Sequence, residues 1–291
     1  MKPPKRALLI INARSRSGAA RRDLAIARLK AHGIEPLQKE CGSRHELAPL
    51  IAHYADKVDC AVVGGGDGTL NAAAFGVIEA GLPLGVLPMG TANDLARTLK
   101  IPFDIDGAVK VIAAGRTRKI DLGVVNGEPF FNVASIGLSA ELARELTGDI
   151  KRRFGRLAYA LVALKVLMRA RPFKATITSE TESARVRTLQ IAVGNGRYYG
   201  GGNAVEKDAA IDDGHLDLYS LEFRQVWKLA LLVRSFRSGE HGAWREVRAV
   251  RAQEFDIRTR ISRPVNADGE IVTSTPAHFS IRPGAVTVFA P

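Results

Sequence analysis

Cysteine is scarce in this sequence: Cys41 and Cys60 are the only two in 291 residues. They have no CxxC spacing and no companion histidine pair, which argues against a disulfide framework or a zinc site. Aromatic residues are few as well, at 6%, and no base-stacking motif interleaves with the basic runs, which weighs against a nucleic-acid reader. Long apolar runs are missing. The opening "MKPPKRALLIINARSRSG" starts basic, but its apolar run from Ala7 to Ile11 is too short for a signal-peptide core. The most apolar helical stretch, "LAYALVALKVLM" from Leu157 to Met168, is broken by Lys165 and stops at Arg169, well short of a bilayer span. These absences predict a soluble, cytoplasmic protein.

Acid is the minority charge. Forty-two Lys and Arg against thirty Asp and Glu give a net charge of +12, which favours anionic partners such as nucleotide phosphates or an acidic lipid surface. The length is enough for two domains, each with its own core. A composition of 46% hydrophobic and 25% charged residues is that of an ordinary folded protein.

The familiar phosphate loops are absent too. GxxxxGK[ST] does not occur, and GxGxxG read from Gly66 meets Asn71 where its third glycine belongs. What is present is "VVGGGDGTLNA", Val62 to Ala72, in which an apolar run ends in three glycines and an aspartate. Three ordered glycines cost conformational entropy, and the reason expected is a positive φ or the approach of a ligand to bare backbone. A glycine-rich turn between a strand and a helix offers free N–H groups to an anion. Asp67 would repel a phosphate unless a Mg²⁺ lay between them, so it reads as a metal or metal-water ligand; the plainer alternative is a helix cap. "PMGTAND", Pro88 to Asp94, is a second loop of this type, with Gly90 and Thr91 able to present N–H and hydroxyl while Asn93 and Asp94 open a helix.

The order strand, loop, helix repeats through the first third of the chain, which predicts an α/β layer with a mostly parallel sheet. From about Leu122 the texture changes to short, partly alternating runs separated by turn residues, such as "FKATITSE", "EFDIRTR" and "HFSIRPGAVTVFA". These predict a mainly antiparallel β-sandwich. Helical pieces interrupt it around 139–168 and 225–236. The expected domains are 1–122, α/β and nucleotide-binding, and 123–291, the β-sandwich, with the last residues able to return to the first domain.

In order along the chain stand "NARSRSG", "GGGDGTLN", "PMGTANDLAR", "NVASIGLSA", "VGNGRYYGGG", "AIDDGHLDL" and "NADGE". In this ordered set the sequence resembles the diacylglycerol kinase catalytic-domain family, and within it the bacterial soluble lipid kinases. GGDGT alone is shared with NAD kinases and phosphofructokinases; the ordered set is specific. The resemblance implies that Asn12, Ser15, the loop Gly65, Gly66, Asp67, Gly68 and Thr69, and Thr91 hold ATP. It implies that Glu270 is the general base toward a lipid hydroxyl, with Asp268 and Asp67 arranging Mg²⁺ and its waters. It also implies a structural metal loop made of Asp213 and the carbonyls of Ala210 and His215. Read without the resemblance, Asp268 and Glu270 form a β-turn with a solvated carboxylate, and Asp213 belongs to an Asp-Gly hairpin turn.

The chain departs from the family pattern at Ala13, where a proline is usual, and near Glu40 and Cys41, where a nucleotide-contacting threonine has no counterpart. Arg14 and Arg16 are extra charges in the first loop, open between phosphate and solvent. "KRRFGR" and "RARPFK" flank the apolar stretch ending at Met168, an arrangement suited either to a helix on anionic lipid or to a core helix with solvated ends. The expected activity is an ATP- and Mg²⁺-dependent lipid kinase acting on diacylglycerol or a related glycerolipid or sphingoid lipid, peripheral at the inner membrane surface. A homodimer stays open, as do an NAD kinase-like activity and a non-catalytic lipid-binding role.

Overall fold

The computed structural model describes residues 3–11, 16–145, 165–166, 168–196, 198–199, 203–204, 210–223 and 246–291. The expected helix around 225–236 and the basic run at 151–156 lie outside them. So do Asn12, Ser15 and most of the apolar stretch ending at Met168. The chain divides into two compact units, one of Met1–Leu122 with Pro283–Pro291 and the other of Gly123–Arg282.

In the first unit β1 (Arg6–Ile11), α1 (Arg16–Ala31), β2 (Glu35–Lys39), α2 (Leu47–His53), β3 (Cys60–Gly65), α3 (Asp67–Glu79), β4 (Leu84–Pro88), α4 (Asp94–Thr98) and α5 (Ile105–Ala113) follow one another, and β5 (Thr117–Val125) leads out. The strands order as β2-β1-β3-β4 and all pair in parallel. The sequence explains why these strands sit inside: Ala7 to Ile11 and Cys60 to Val63 are each 3% exposed or less, as expected of a parallel sheet covered by helices on both faces. Each buried Leu, Ile or Val there contributes about 1.5–3 kcal/mol, counted as an upper estimate. Helix α1 closes at Gly33. Gly33 takes φ +74°, its N–H bonds Lys30 O, and Ile34 N–H reaches back to Leu29 O, the 5→2 and 6→1 pair that closes a helix at a left-handed residue.

The second unit begins in the tail of β5 and continues through β6 (Glu128–Phe130), β7 (Val133–Gly137), α6 (Leu138–Glu145), β8 (Phe173–Thr178), β9 (Ser183–Thr188), β10 (Gln190–Gly194), β11 (Tyr198–Tyr199), β12 (Asn203–Ala204), β13 (Leu216–Leu221), β14 (Val247–Ala252), β15 (Glu254–Thr259), β16 (Pro264–Ala267), β17 (Glu270–Ser274) and β18 (Ala277–Phe289). One sheet orders as β14-β13-β10-β7-β16-β17, and a second runs β18-β15-β8-β9, with antiparallel pairing throughout. Their inner faces share one core that includes Ile136, Ile177, Val193, Leu218, Phe255 and Phe279. This is the antiparallel sandwich read from the alternating runs. Strand β14, "VRAVRA", was not among those runs, because an arginine stands on each of its two faces, Arg248 beside Val250 and Ala252 and Arg251 on the side of Val247, and breaks the alternation.

The final strand serves both units by sequence. Residues 277–280 pair with β15, whereas Val288 pairs in parallel with Leu84 of β4, and Ala290 N–H bonds Arg116 O. Gly284 N–H donates to the buried Asp121 carboxylate at 2.6 Å, holding the returning segment against the exit of β5.

Candidate functional site

The strand order places β1 beside β3, while the chain between them leaves to form β2. In open α/β sheets this is the switch point, where loops diverge from the carboxyl ends of neighbouring strands and leave room for a ligand. The loops concerned are the one after β1, which contains Asn12 and Ser15 outside the described residues, and the glycine-rich loop after β3. Gly66 caps α3 with φ −92°, and the helix starts at Asp67, so its first-turn N–H groups and dipole face that edge.

Of the two reasons expected for the glycines, the positive φ does not hold, and the structure shows a further one. None of Gly64, Gly65 and Gly66 has a positive φ. A Cβ on Gly64 would lie 2.6 Å from Ile11 Cγ1 and 3.0 Å from Met89 Sδ, and one on Gly65 would collide with Thr69. A Cβ on Gly90 would overlap the Cα of Gly66. The two glycine-bearing loops therefore lie backbone against backbone, and the missing side chains are what allow it. Thr69 packs under Gly65, and Thr91 is exposed at the tip of the second loop.

Contact between the loops fixes their carboxylates. Asn93 adopts a left-handed φ of 51° and closes its own loop, its Oδ1 accepting from Gly90 N–H at 2.8 Å and its Nδ2 donating to Gly90 O at 3.0 Å. Helix α4 starts at the next residue. Asp67 Oδ1 then accepts from the Leu95 N–H at 3.0 Å, across 28 residues of sequence. Asp94 precedes Leu95, and Asp67 and Asp94 are 9% and 4% exposed. Two buried carboxylates are thus brought to one neighbourhood. Arg97 is the nearby cation, its Nε 3.9 Å from Asp94 Oδ1 and its guanidinium 5.0 Å over the Phe103 ring.

Among the described residues no three His, Cys, Asp or Glu side chains are grouped to cage a metal. Two carboxylates are the donor type that Mg²⁺ takes when it is bound together with substrate phosphates. Sequence reading singled out Asp67 but took Asp94 for a helix opener. The signal for Asp94 is an acidic residue in the loop after the adjacent parallel strand, and only the pairing of Gly65 with Pro88 makes those two loops neighbours.

In the second unit "NADGE" forms a two-residue hairpin between β16 and β17. Asp268 and Gly269 have φ of 46° and 96°, the doubly positive turn that Asp-Gly favours. Asn266 Oδ1 accepts from Gly269 N–H at 2.8 Å. The Asp268 carboxylate turns back onto the main chain. Oδ2 accepts from Phe131 N–H at 2.8 Å, Oδ1 from Val133 N–H at 2.9 Å, and Asn132 N–H lies between them at 3.1 Å and 3.2 Å. Three consecutive amides hold it, so it is not the solvated turn residue of the plainer reading.

The same segment receives "GNG". Asn132 O accepts from the N–H groups of Asn195 and Gly196, and Asn195 Nδ2 donates to Phe131 O at 2.9 Å. Three separated stretches thus converge on Asp268, and they present Glu270, half-buried, as the first residue of β17. Sequence reasoning passed over Asn132 and Asn195, 1% and 2% exposed; the one hint was asparagine inside otherwise apolar strand ends.

In the "AIDDGHLDL" loop Asp213 meets Ala210 and His215 through their N–H groups, at 3.3 Å and 3.1 Å to its carboxylate, whereas the resemblance implied their carbonyls as ligands. His215 Nδ1 lies 2.8 Å from Asp213 O. Arg251 of β14 sits 2.7 Å from Asp213 Oδ2. A guanidinium therefore occupies the side of the carboxylate where a cation would bind. This donor set does not fit a divalent ion unless Arg251 moves away.

Comparison with known proteins agrees with this division. Residues 6–125 match the family model described as "Diacylglycerol kinase catalytic domain", and residues 132–290 match the "YegS C-terminal NAD kinase beta sandwich-like domain". A diacylglycerol kinase of Staphylococcus aureus (strain bovine RF122 / ET3-1) is 30% identical over 294 aligned residues, covering 99% of this chain and 93% of the relative. A structure from Bacillus anthracis str. Sterne, named provisionally as a diacylglycerol kinase, superposes with a TM-score of 0.84 at 25% identity, covering 100% of this chain and 97% of the other. A further B. anthracis diacylglycerol kinase structure, at 22% identity, has the same fold with a TM-score of 0.79, covering 100% of this chain and 98% of its own.

Proposed function

The chain belongs to the diacylglycerol kinase catalytic-domain family, and from that premise we propose that it transfers the γ-phosphoryl group of ATP to a hydroxyl of diacylglycerol or a related glycerolipid or sphingoid lipid. The observation that carries this reading is the buried pair Asp67 and Asp94, held where two glycine-bearing loops touch at the carboxyl end of a parallel sheet. Phosphoryl transfer is mostly positioning and charge neutralisation. In this reading the first turn of α3 and the loop from Gly65 to Thr69 hold the phosphates, and Thr91 lies beside them with Asn12 and Ser15. Mg²⁺ bound with ATP would supply neutralisation of the charge on the transferred group, and Asp67 and Asp94 are the residues that would hold it.

The second unit supplies the base. Glu270 accepts the proton of the acceptor hydroxyl, which is what one carboxylate must do for an alcohol to attack at neutral pH. Asp268 acts through the backbone as a positioning residue: by tying down the amides of 131–133 it fixes the hairpin that carries Glu270. The Asp213 loop is given no step.

The test is transfer of labelled phosphate from ATP to a panel of lipids in mixed micelles, with Mg²⁺ present or chelated and NAD as a soluble control. A labelled lipid formed only with Mg²⁺ is the expected result and identifies the acceptor. Labelled NAD without labelled lipid would overturn the reading.

A further inference from the structure

The outward face of β8, β9 and β15 is unlike the rest of the second unit. Their inward side chains, Phe173, Ala175, Ile177, Val186, Phe255 and Ile257, are in the core. Their outward ones include Lys174, Arg185, Arg187, Arg258 and Arg260, all exposed, which line one groove of about 560 Å³. Register stacks them: Lys174 is opposite Arg187, and Thr176 lies between Arg185 on one side and Arg258 on the other.

Like charges directly across strands are unfavourable, and these five have no carboxylate partner among the described residues. Other arginines of the same unit do have partners: Arg248 pairs with Glu222, Arg251 with Asp213 and Arg263 with Glu141. The acidic side chains of these strands lie toward the far end, where Asp256 pairs with His278 and stands opposite Thr178. Guarding an open edge against aggregation accounts for charges on β9, the last strand of its sheet. It does not account for Lys174 or Arg258, whose strands are paired on both sides.

At the basic end two apolar side chains protrude. Ile261 follows Arg260 and is 75% exposed; Met168, five residues before Phe173, is 77% exposed, and these are the two most exposed large apolar side chains among the described residues. Arg263 lies 4.1 Å over the Phe173 ring, which ties the turn carrying Ile261 to the start of β8.

We propose that this face docks on an anionic lipid bilayer, with the five basic side chains against headgroups and Ile261 entering the interface. With strands about 4.8 Å apart and alternate residues nearly 7 Å apart, the patch spans several phosphates and exceeds what one soluble phosphate would fill. It carries no aromatic residue on which nucleic-acid bases could stack. Basic groups at an anionic surface and an apolar side chain at its boundary are the two elements of reversible membrane attachment. The proposal deepens the lipid-kinase reading and rests on it for the choice of a membrane as the anionic partner.

The experiment is co-sedimentation of the full chain with phosphatidylglycerol vesicles and with phosphatidylcholine vesicles, at low and high salt. It compares wild type with a triple variant, Lys174→Glu, Arg187→Glu and Arg258→Glu, and with a milder one, Lys174→Gln, Arg187→Gln and Arg258→Gln. Turnover on a short-chain, monomeric diacylglycerol is measured alongside. Wild type is expected to pellet with the anionic vesicles at low salt and to be released at high salt. Each neutralised charge should weaken partition by about fivefold, so the Gln variant should lose roughly a hundredfold and the Glu variant more, with short-chain turnover unchanged in both. Equal pelleting of wild type and the Gln variant would overturn the docking face while leaving the lipid-kinase reading intact. So would wild type that ignores vesicles but binds duplex DNA. Lost docking in the variants, with no lipid phosphorylated by any form, would uphold the face and sink the kinase reading.

Discussion

Asp67 and Asp268 stand in the two units as near counterparts, each an aspartate next to a glycine at a tight turn and each accepting main-chain N–H groups. Their neighbours differ. Asp268 faces three consecutive amides, which satisfy a carboxylate's lone pairs and compensate its desolvation. Asp67 caps Leu95 and shares its surroundings with a second buried carboxylate, Asp94. A carboxylate surrounded by main-chain donors holds structure together, whereas Asp67 and Asp94, with Arg97 3.9 Å from Asp94, are where the proposed reading would place Mg²⁺. In the proposed reading the same residue type is structural in one unit and a metal ligand in the other.

Five substitutions test that contrast. The largest effect is expected from Glu270→Gln, which removes the base: turnover should fall about 10²–10⁴-fold while ATP binding, followed by equilibrium dialysis, stays near wild type. Unchanged turnover would remove Glu270 from that role. Next are Asp67→Asn and Asp94→Asn, each expected to lower turnover about 10²–10³-fold and to raise the Mg²⁺ concentration needed for half-maximal rate. Because an asparagine oxygen can still accept the Leu95 N–H that Asp67 holds, and neither change strips three amides of their acceptor, the unfolding midpoint without metal should stay near that of wild type. A marked loss of stability in either variant would turn the pair into a structural device and erase the difference from Asp268.

Asp268→Ala should behave in the opposite way. Leaving three amides without their acceptor is expected to cost about 3–5 kcal/mol in urea unfolding. ATP affinity, a property of the first unit, should be retained. If stability is untouched and turnover is lost, Asp268 belongs at the reacting atoms and the contrast fails.

The smallest effect concerns Asp59, which accepts the N–H groups of Lys5 and Arg6 at 2.8 Å each and is thereby held below the ordinary carboxylate value of 3.8. A depressed native pKa stabilises the fold above the unfolded value, and the contribution is lost as pH falls through the native one. Asp59→Asn should therefore cost under about 1 kcal/mol at neutral pH, because the group is exposed. The difference from wild type should shrink in melts taken progressively below pH 3.8.

Much of this was legible along the chain. Apolar runs broken by glycine and polar residues marked the parallel strands, and alternation marked most of the sandwich, because burial on two faces or on one leaves a periodic trace in sequence. "NADGE" announced its hairpin, since Asp-Gly is what a doubly positive turn selects. Strand β14 was hidden because Arg248 and Arg251 are recruited by carboxylates on other elements, and ion pairing leaves no period.

Local sequence determined the elements, the two folds and the residues able to carry charge to a phosphate, because propensity and periodicity act over a few residues. Tertiary structure alone decided what each charge does. Asp94 joins Asp67 because β3 and β4 are neighbours in register, and the glycines are required because one loop lies on the other. Asp268 becomes a structural anchor because amides 135 to 137 residues away turn toward it. The electrostatic role of a carboxylate depends on what lies within a few ångströms of it, and those neighbours are chosen by the fold rather than by the residues on either side in the chain.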